Sequence, residues 1–407
     1  MAKTSFLSKS SARSLIHQFG SPLYVYNGET IQQRCRELKN AFSSWKKTQF
    51  YYAMKANSNL HILRIIKEEA YNLDCVSLYE VELGLLAGFS PKQILFTVNN
   101  MSDEEMHFAH KKGVLLNIDS LSRLEKYGNA YPHSAVCLRL TPEVTAGHHA
   151  KVQTGYKESK FGILFEEVSE ARALAKKFDL DIIGLHEHTG SGIPARNMNR
   201  ALQSIKGLMH AALQFPDLQF LDFGGGFPIP YTPNEKRLDL KTFGEKVIFL
   251  FSTFCKKYKK ELALHFEPGR YCVAEAGILL CTVTTIKNRG KKSIVGVDTG
   301  FNHLVRPVMY DSYHHIVNLS SSGKMKKYDV YGNICESGDC FGKGRMIAEV
   351  HEGDILAILD TGAYGFSMAS QYNSRPLPTE VLLSTGKTRL IRKRQTFEDI
   401  VNGTVKN

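Results

Sequence analysis

The sequence predicts an α/β protein: a (β/α)8 TIM-type barrel followed by a C-terminal all-β domain. Three observations carry that expectation. Apolar, β-branched runs recur eight times between residues 49 and 266, with amphipathic segments between them. After about residue 272 the pattern shifts to short β-like runs separated by Gly-rich turns. The residues best suited to chemistry, Lys55, His188, Gly224 to Gly226 and Glu267, each follow one of the eight runs, where barrel enzymes place their active sites.

In chain order, the run Pro22-Leu23-Tyr24-Val25-Tyr26 precedes the barrel and is expected to pair with the β domain. Barrel strands are expected at 49–53, 73–76, 94–97, 114–118, 135–140, 182–187, 218–223 and 262–266. Helical periodicity fills gaps at 59–69, 78–88, 102–112, 166–178, 196–214 and 239–259. An irregular insert at 141–160, rich in Gly, His and Lys, follows the fifth strand. The later strands are expected at 278–286, 293–298, 328–335, 345–350, 354–359 and 379–383. The expected domains are a barrel over 29–271 and a β domain over 272–407, completed by 1–28.

The composition suits such a chain. At 407 residues it is too long for one ordinary core, and 43% hydrophobic with 23% charged is a globular balance. No apolar run approaches the ~20 residues that span a bilayer, so no membrane association is expected. The start, Met1-Ala2-Lys3-Thr4-Ser5, lacks the apolar stretch of a secretory signal. Eight scattered cysteines form no Cys-x-x-Cys pair, so neither a disulfide framework nor a metal site is expected. A reducing cytoplasm follows. The net charge of +12 could suit nucleic acid, but its densest cluster, Arg389 to Arg394, lacks interleaved aromatics and reads as a solvated face. No nucleic-acid partner is expected.

Lys55 sits in Tyr52-Ala-Met-Lys-Ala-Asn57, at the end of an apolar strand. A lysine there is costly to bury unless it has a task, and a buried amine that loses its proton can form a Schiff base with an aldehyde. Gly224-Gly225-Gly226 would pass for a tight turn, but after the seventh strand they suit close backbone approach to a phosphate. Ser191 can add a hydroxyl donor. Glu267 reads either as a cap before Pro268 or as a carboxylate against a pyridine nitrogen. The second role keeps a pyridoxal ring protonated and strongly electron-withdrawing, which favours decarboxylation over racemisation. His188 has the shape to stack on such a ring. Cys335, in Cys335-Glu-Ser-Gly-Asp339, is either an inert buried thiol or a proton donor to a carbanion. Arg306 and Tyr310 together could clamp a carboxylate.

From Pro22 to about Glu398 the chain resembles the fold-type III pyridoxal-phosphate decarboxylases, which are alanine-racemase-like in fold, and within them the diaminopimelate decarboxylase family. Tyr52-Ala-Met-Lys-Ala-Asn57 and Glu267-Pro-Gly-Arg270 resemble the wider superfamily. Arg306-Pro-Val-Met-Tyr310-Asp-Ser-Tyr-His-His315, Cys335-Glu-Ser-Gly-Asp339, Asp360-Thr-Gly-Ala-Tyr364 and Tyr372-Asn-Ser-Arg-Pro376 resemble the narrower family's signature.

The resemblance implies pyridoxal 5'-phosphate as cofactor, held by Lys55 through a Schiff base. It implies that His188 stacks on the ring, that Ser191, Gly224, Gly225, Gly226 and Tyr364 bind the phosphate, and that Gly269 and Arg270 also contact the cofactor. Glu267 would pair with the ring nitrogen. Arg270, Arg306, Tyr310 and Tyr364 would meet the substrate, with Glu336 on its distal ammonium. Cys335 would protonate the carbon after carbon dioxide leaves. Cys335 and Glu336 would come from the partner subunit of a head-to-tail homodimer. The implied reaction converts meso-2,6-diaminopimelate to L-lysine, the last step of lysine biosynthesis, by attack at the D-configured centre. Thr189 and His303 depart from the usual pattern and bear on fine substrate preference.

The nearest rival is a sister decarboxylase of ornithine, arginine or carboxynorspermidine. Ornithine and arginine lack the distal carboxylate and would leave Arg306 unpaired. A racemase is disfavoured by Glu267, and a non-catalytic cofactor carrier by the β domain and Cys335.

Overall fold

A computed structural model of the chain describes residues 5–142, 144, 149, 154–193 and 197–405. Residues 143, 145–148 and 150–153 of the insert expected at 141–160, and the first residue of the helix expected at 196–214, lie outside the described residues. The chain divides into two compact units, one of Gln32–Ile229 and Lys236–Tyr271, the other of Met1–Ile31, Pro230–Glu235 and Cys272–Asn407.

The N-terminal elements are α1 (Lys9–Phe19), β1 (Leu23–Asn27) and α2 (Gly28–Ala41). Then β2 (Thr48–Ala53), α3 (Leu60–Glu68), β3 (Asn72–Cys75), α4 (Leu78–Leu86), β4 (Ile94–Phe96), α5 (Asp103–Lys112), β5 (Leu115–Ile118) and α6 (Leu121–Ala130) form half the barrel. The other half is β6 (Ala135–Thr141), β7 (Ile163–Leu164), α7 (Val168–Phe178), β8 (Asp181–His186), α8 (Met198–Ala212), β9 (Phe220–Asp222), α9 (Leu240–Tyr258) and β10 (Ala263–Phe266). The parallel order β5-β4-β3-β2-β10-β9-β8-β6 closes through a β5–β6 pairing, and the short β7 adds onto β6.

All eight expected barrel strands are present, with ends shifted by a residue or two. Helix starts are set by capping side chains: Asn59, Ser77, Ser102, Ser120 and Asp239 each accept a first-turn N–H. α6 has no counterpart among the helices expected from the sequence. Its cap, Ser120, was the available signal.

Strand alternation sorts the barrel interior into two zones. Leu95, Cys137 and Phe220 pack with Tyr51, Leu115, Ile183 and Ala263 in an apolar zone. Gly184 belongs there for a steric reason, since a Cβ on it would meet the Phe220 ring at 2.0 Å. Two residues further along the strands, on the same face, the side chains turn polar: Asp74, Asn117, Arg139, His186, Asp222 and His265 are all buried. That polar zone lies towards the C-terminal strand ends.

The second unit adds α10 (Arg270–Val273, which spans the boundary), β11 (Gly277–Arg289), β12 (Lys292–Val297), α11 (Arg306–Tyr310), β13 (Ile316–Asn318), β14 (Met325–Tyr331), β15 (Cys340–Ala348), β16 (Ile355–Ile358), β17 (Thr379–Ser384), β18 (Lys387–Arg392) and α12 (Phe397–Val401). One sheet runs β15-β14-β12-β11-β1-β17-β18, with β16 pairing both β11 and β13. β1 runs antiparallel to β11 and parallel to β17. Leu23 and Val25 of β1 pack with Ile278, Leu280, Ala357 and Val381 under Ala12 and Leu15 of α1. Truncating either β1 side chain to alanine is expected to cost about 2–5 kcal/mol. A strand is expected over 328–335, but β14 stops at Tyr331, and the turn that follows carries Cys335. β18 was read only as a solvated basic face. It is an exposed edge strand whose charges also discourage further strand pairing. Among the described residues no helix is long and apolar enough to cross a membrane.

Candidate active site

Lys55 leaves the barrel in a single 3-10 turn, Met54–Ala56, directly after β2. Its side chain is 41% exposed, so the expectation of a buried amine does not hold. The turn leaves the lysine side chain partly open to solvent. The amine instead meets Asp74 of β3, with Nζ 2.6 Å from Oδ2. Burial, then the nearby Glu267, raise the Asp74 carboxyl above its usual range, while Lys55 opposes the rise.

Glu267 follows β10 and is buried. Its Oε2 lies 3.1 Å from His186 Nε2, and its Oε1 has no hydrogen-bond partner among the described residues. Burial raises the Glu267 carboxyl, and Lys55 and Arg139 draw it back down. Burial holds His186 well below the usual imidazole range, with Arg139 adding to the effect. Arg139 itself stacks over the Phe161 ring, 4.5 Å from its centroid.

The glycine turn is fixed by the protein itself. Gly224 N–H donates to Asp222 Oδ1 at 2.8 Å, and Gly225 N–H donates to His188 Nδ1 at 3.1 Å. A Cβ on Gly225 would lie 2.4 Å from the Glu267 carbonyl, and Gly226 has φ +96°. Glycine is therefore required here by close backbone packing, whatever else binds. His188 is held neutral by burial. Because Nδ1 accepts from Gly225, the ring is oriented by the same turn. Arg270 opens α10 and donates from Nη2 to Ser191 Oγ at 2.7 Å. Gly269 lets that segment pack against Ala53 and Ala56, beside Lys55.

The β unit holds the remaining candidates. Arg306, 1% exposed, donates from Nη1 to Tyr231 Oη at 2.7 Å and from Nη2 to Ser312 Oγ at 3.1 Å. Tyr310 closes the same helix, half-buried. Cys335 is exposed, and its N–H donates to Asn373 Oδ1 at 2.9 Å. The exposed Glu336 accepts from Tyr372 Oη at 2.6 Å. Asp339 is buried and shapes this loop, accepting from the Phe301 and Ile334 N–H groups at 2.7 Å each. Asp339→Ala would strand both donors, so we expect a loss of about 1–3 kcal/mol per donor, read by thermal or urea melts. An unchanged melt would contradict the role. Tyr364 sits at φ +57°, a rare conformation for an aromatic residue and one that marks functional segments. His303 is a core residue. Its Nδ1 lies 2.9 Å from Thr299 Oγ1 and its Nε2 3.1 Å from the Pro376 carbonyl, and burial pushes it down to about 4.

The sequence assigns no site role to Asp74, Arg139, His186 and Asp222, nor to Tyr231 in the β unit, and it marks Tyr372 only as part of a family motif. The barrel four shared one signal, a polar residue inside an otherwise apolar strand.

Glu187 faces away from the barrel interior, into an apolar pocket with Ile193, Met198, Ile205 and Phe243. Burial pushes its carboxyl up to about 8, with the Ser204 hydroxyl offsetting part of the rise. The folded chain thus holds a proton that the unfolded chain has released above its ordinary value of 4.5. Stability contributed there is fully present below that value and is lost as pH rises towards 8, by up to about 1.4 kcal/mol per pH unit. Glu187→Gln is expected to flatten the slope in urea melts across that window. Equal slopes in both proteins would contradict the assignment.

Residues 28–274 match the family model of the pyridoxal-dependent decarboxylases, pyridoxal binding domain. The chain is 43% identical to a diaminopimelate decarboxylase of Methanothermobacter thermautotrophicus, over 96% of this chain and 93% of that one. It is 35% identical to a diaminopimelate decarboxylase of Escherichia coli K12, over 94% of each. It superposes on the crystal structure of diaminopimelate decarboxylase from Helicobacter pylori complexed with L-lysine with a TM-score of 0.88, at 34% identity, covering 96% of this chain and 98% of that one. With its barrel, its β domain and this near full-length likeness, the chain belongs to the diaminopimelate decarboxylase family of pyridoxal-dependent decarboxylases.

Proposed function

We propose that the protein decarboxylates meso-2,6-diaminopimelate at its D-configured centre, giving L-lysine and carbon dioxide, with pyridoxal 5'-phosphate as cofactor. The observation that carries this reading is Glu267, a buried carboxyl whose Oε1 has no partner among the described residues. A protonated ring nitrogen is the partner such an oxygen suits. When bound, the cofactor supplies an electron sink for the pair released as carbon dioxide departs.

The chain's own residues take the other tasks. Lys55 would hold the cofactor's aldehyde carbon, with Asp74 positioning its amine. His188, oriented by the Gly225 N–H, would cover the ring. Ser191, held by Arg270, would meet the phosphate with Gly226 and Tyr364. Gly224 and Gly225 give their N–H groups to Asp222 and His188, so their part is to let the turn come close. Arg306 and Tyr310 would bind the distal carboxylate and Glu336 the distal ammonium. Cys335 would deliver a proton from Sγ to the carbon that lost its carboxylate. We read Cys335 and Glu336 as serving the site of a partner copy, so the working unit is a homodimer. Eight free cysteines suit a reducing cytoplasm.

A substrate panel tests the choice of substrate. The value of kcat/KM for meso-diaminopimelate is expected to exceed those for ornithine and arginine by several orders of magnitude, because a built carboxylate site rejects analogues that leave it unpaired. Comparable values would move the function to a sister decarboxylase.

A further inference from the structure

The glycine turn and Glu267 are joined by buried side chains to which the proposed reaction assigns no role. Asp222 of β9 lies beside His186 of β8 in register, and His265 of β10 lies beside Asp222. Glu267, two residues beyond His265, projects from the same face. One nitrogen of His186 and one oxygen from each of Asp222 and Glu267 lie within 4.8 Å of one another. Gly224 is gripped from both sides: its N–H donates to Asp222 Oδ1 and its carbonyl accepts the Glu267 N–H, each at 2.8 Å. Asp222 Oδ2 and His186 Nδ1 are buried with no partner among the described residues.

Two carboxyls this close, in a dry interior, oppose each other's ionisation. Burial and Glu267 lift Asp222 well above its usual range, and no cation sets against that rise as Lys55 and Arg139 do for Glu267. Asp222 is therefore the more readily protonated of the two, while Lys55 and Arg139 favour the ionised form of Glu267. A neutral imidazole carries one N–H, and against a carboxylate at 3.1 Å that hydrogen sits on Nε2.

We propose that His186 is a positioning residue for Glu267. Its Nε2–H fixes the rotamer of Glu267 and its ionised state towards the cofactor's ring nitrogen, and Asp222 ties the pair to the glycine turn. This inference rests on the proposed cofactor. Its test is the chemical shift of the ring nitrogen in enzyme loaded with 15N-labelled pyridoxal phosphate, read in the wild type, His186→Leu and His186→Gln, beside the melting temperature of each apoprotein. The wild type is expected to give a protonated ring. In His186→Leu the shift moves towards the unprotonated value and kcat falls about 10- to 100-fold with KM little changed, as for loss of a hydrogen bond to a charged group. His186→Gln, whose amide can donate, restores both. If His186→Leu does not fold, His186→Asn, polar but too short to reach Glu267, takes its place. A wild-type shift and kcat in the leucine or asparagine variant overturns the positioning role alone. A wild-type protein that binds no pyridoxal phosphate overturns the proposed function with it.

Discussion

Lys55→Ala is expected to lower kcat for meso-diaminopimelate by roughly 10⁴-fold or more, and to remove the cofactor's protein-bound absorption band, because the residue proposed to carry the covalent link is gone. Folding is expected to survive. The Lys55 side chain is 41% exposed, so its removal opens no core cavity. Among the buried groups it leaves behind is Asp74, whose carboxyl already lies above its usual range. Without its cation it takes up a proton instead of remaining a bare buried charge. The variant should therefore melt within a few kcal/mol of the wild type while being inactive. A variant that keeps both the band and the turnover would remove Lys55 from the chemistry.

The second large effect is expected at Cys335. Cys335→Ala should lower kcat by about 10²- to 10⁴-fold, the range for a positioned proton donor, with a smaller change in KM. Cys335 is exposed and its loop is held by Asp339 through backbone groups, so the substitution should leave stability unchanged. The pairing of subunits gives a sharper reading. If Cys335 serves the partner's site, mixing the inactive Lys55→Ala and Cys335→Ala proteins should regenerate intact sites. Random re-pairing makes half the dimers mixed, each with one whole site, so activity should return to about a quarter of wild type. No recovery after demonstrated exchange of subunits would place both residues in sites built from one chain.

The barrel was legible because each strand repeats the same physical statement, an apolar run of four to six residues bounded by turn signals. The β domain was less so. β13 is three residues long and β18 is charged on both faces, so neither has an apolar alternation to detect. The cofactor-side candidates were legible from position: Lys55, His188, the glycine turn and Glu267 each close a strand. What the sequence hid was their support. Asp74 and Asp222 look like interruptions of apolar strands until the strand register sets them beside Lys55 and His186. The burial of Lys55 was misjudged because a strand end says nothing of the turn after it. That single 3-10 turn decides whether the amine points into the wall or out of it.

Incubating the purified protein with meso-diaminopimelate, with and without pyridoxal phosphate, and measuring carbon dioxide and L-lysine together decides whether it is this decarboxylase. Cofactor-dependent release of both in equal amounts is expected. Carbon dioxide released from a different amino acid, with none from diaminopimelate, would contradict the substrate, and release from neither would contradict the enzyme.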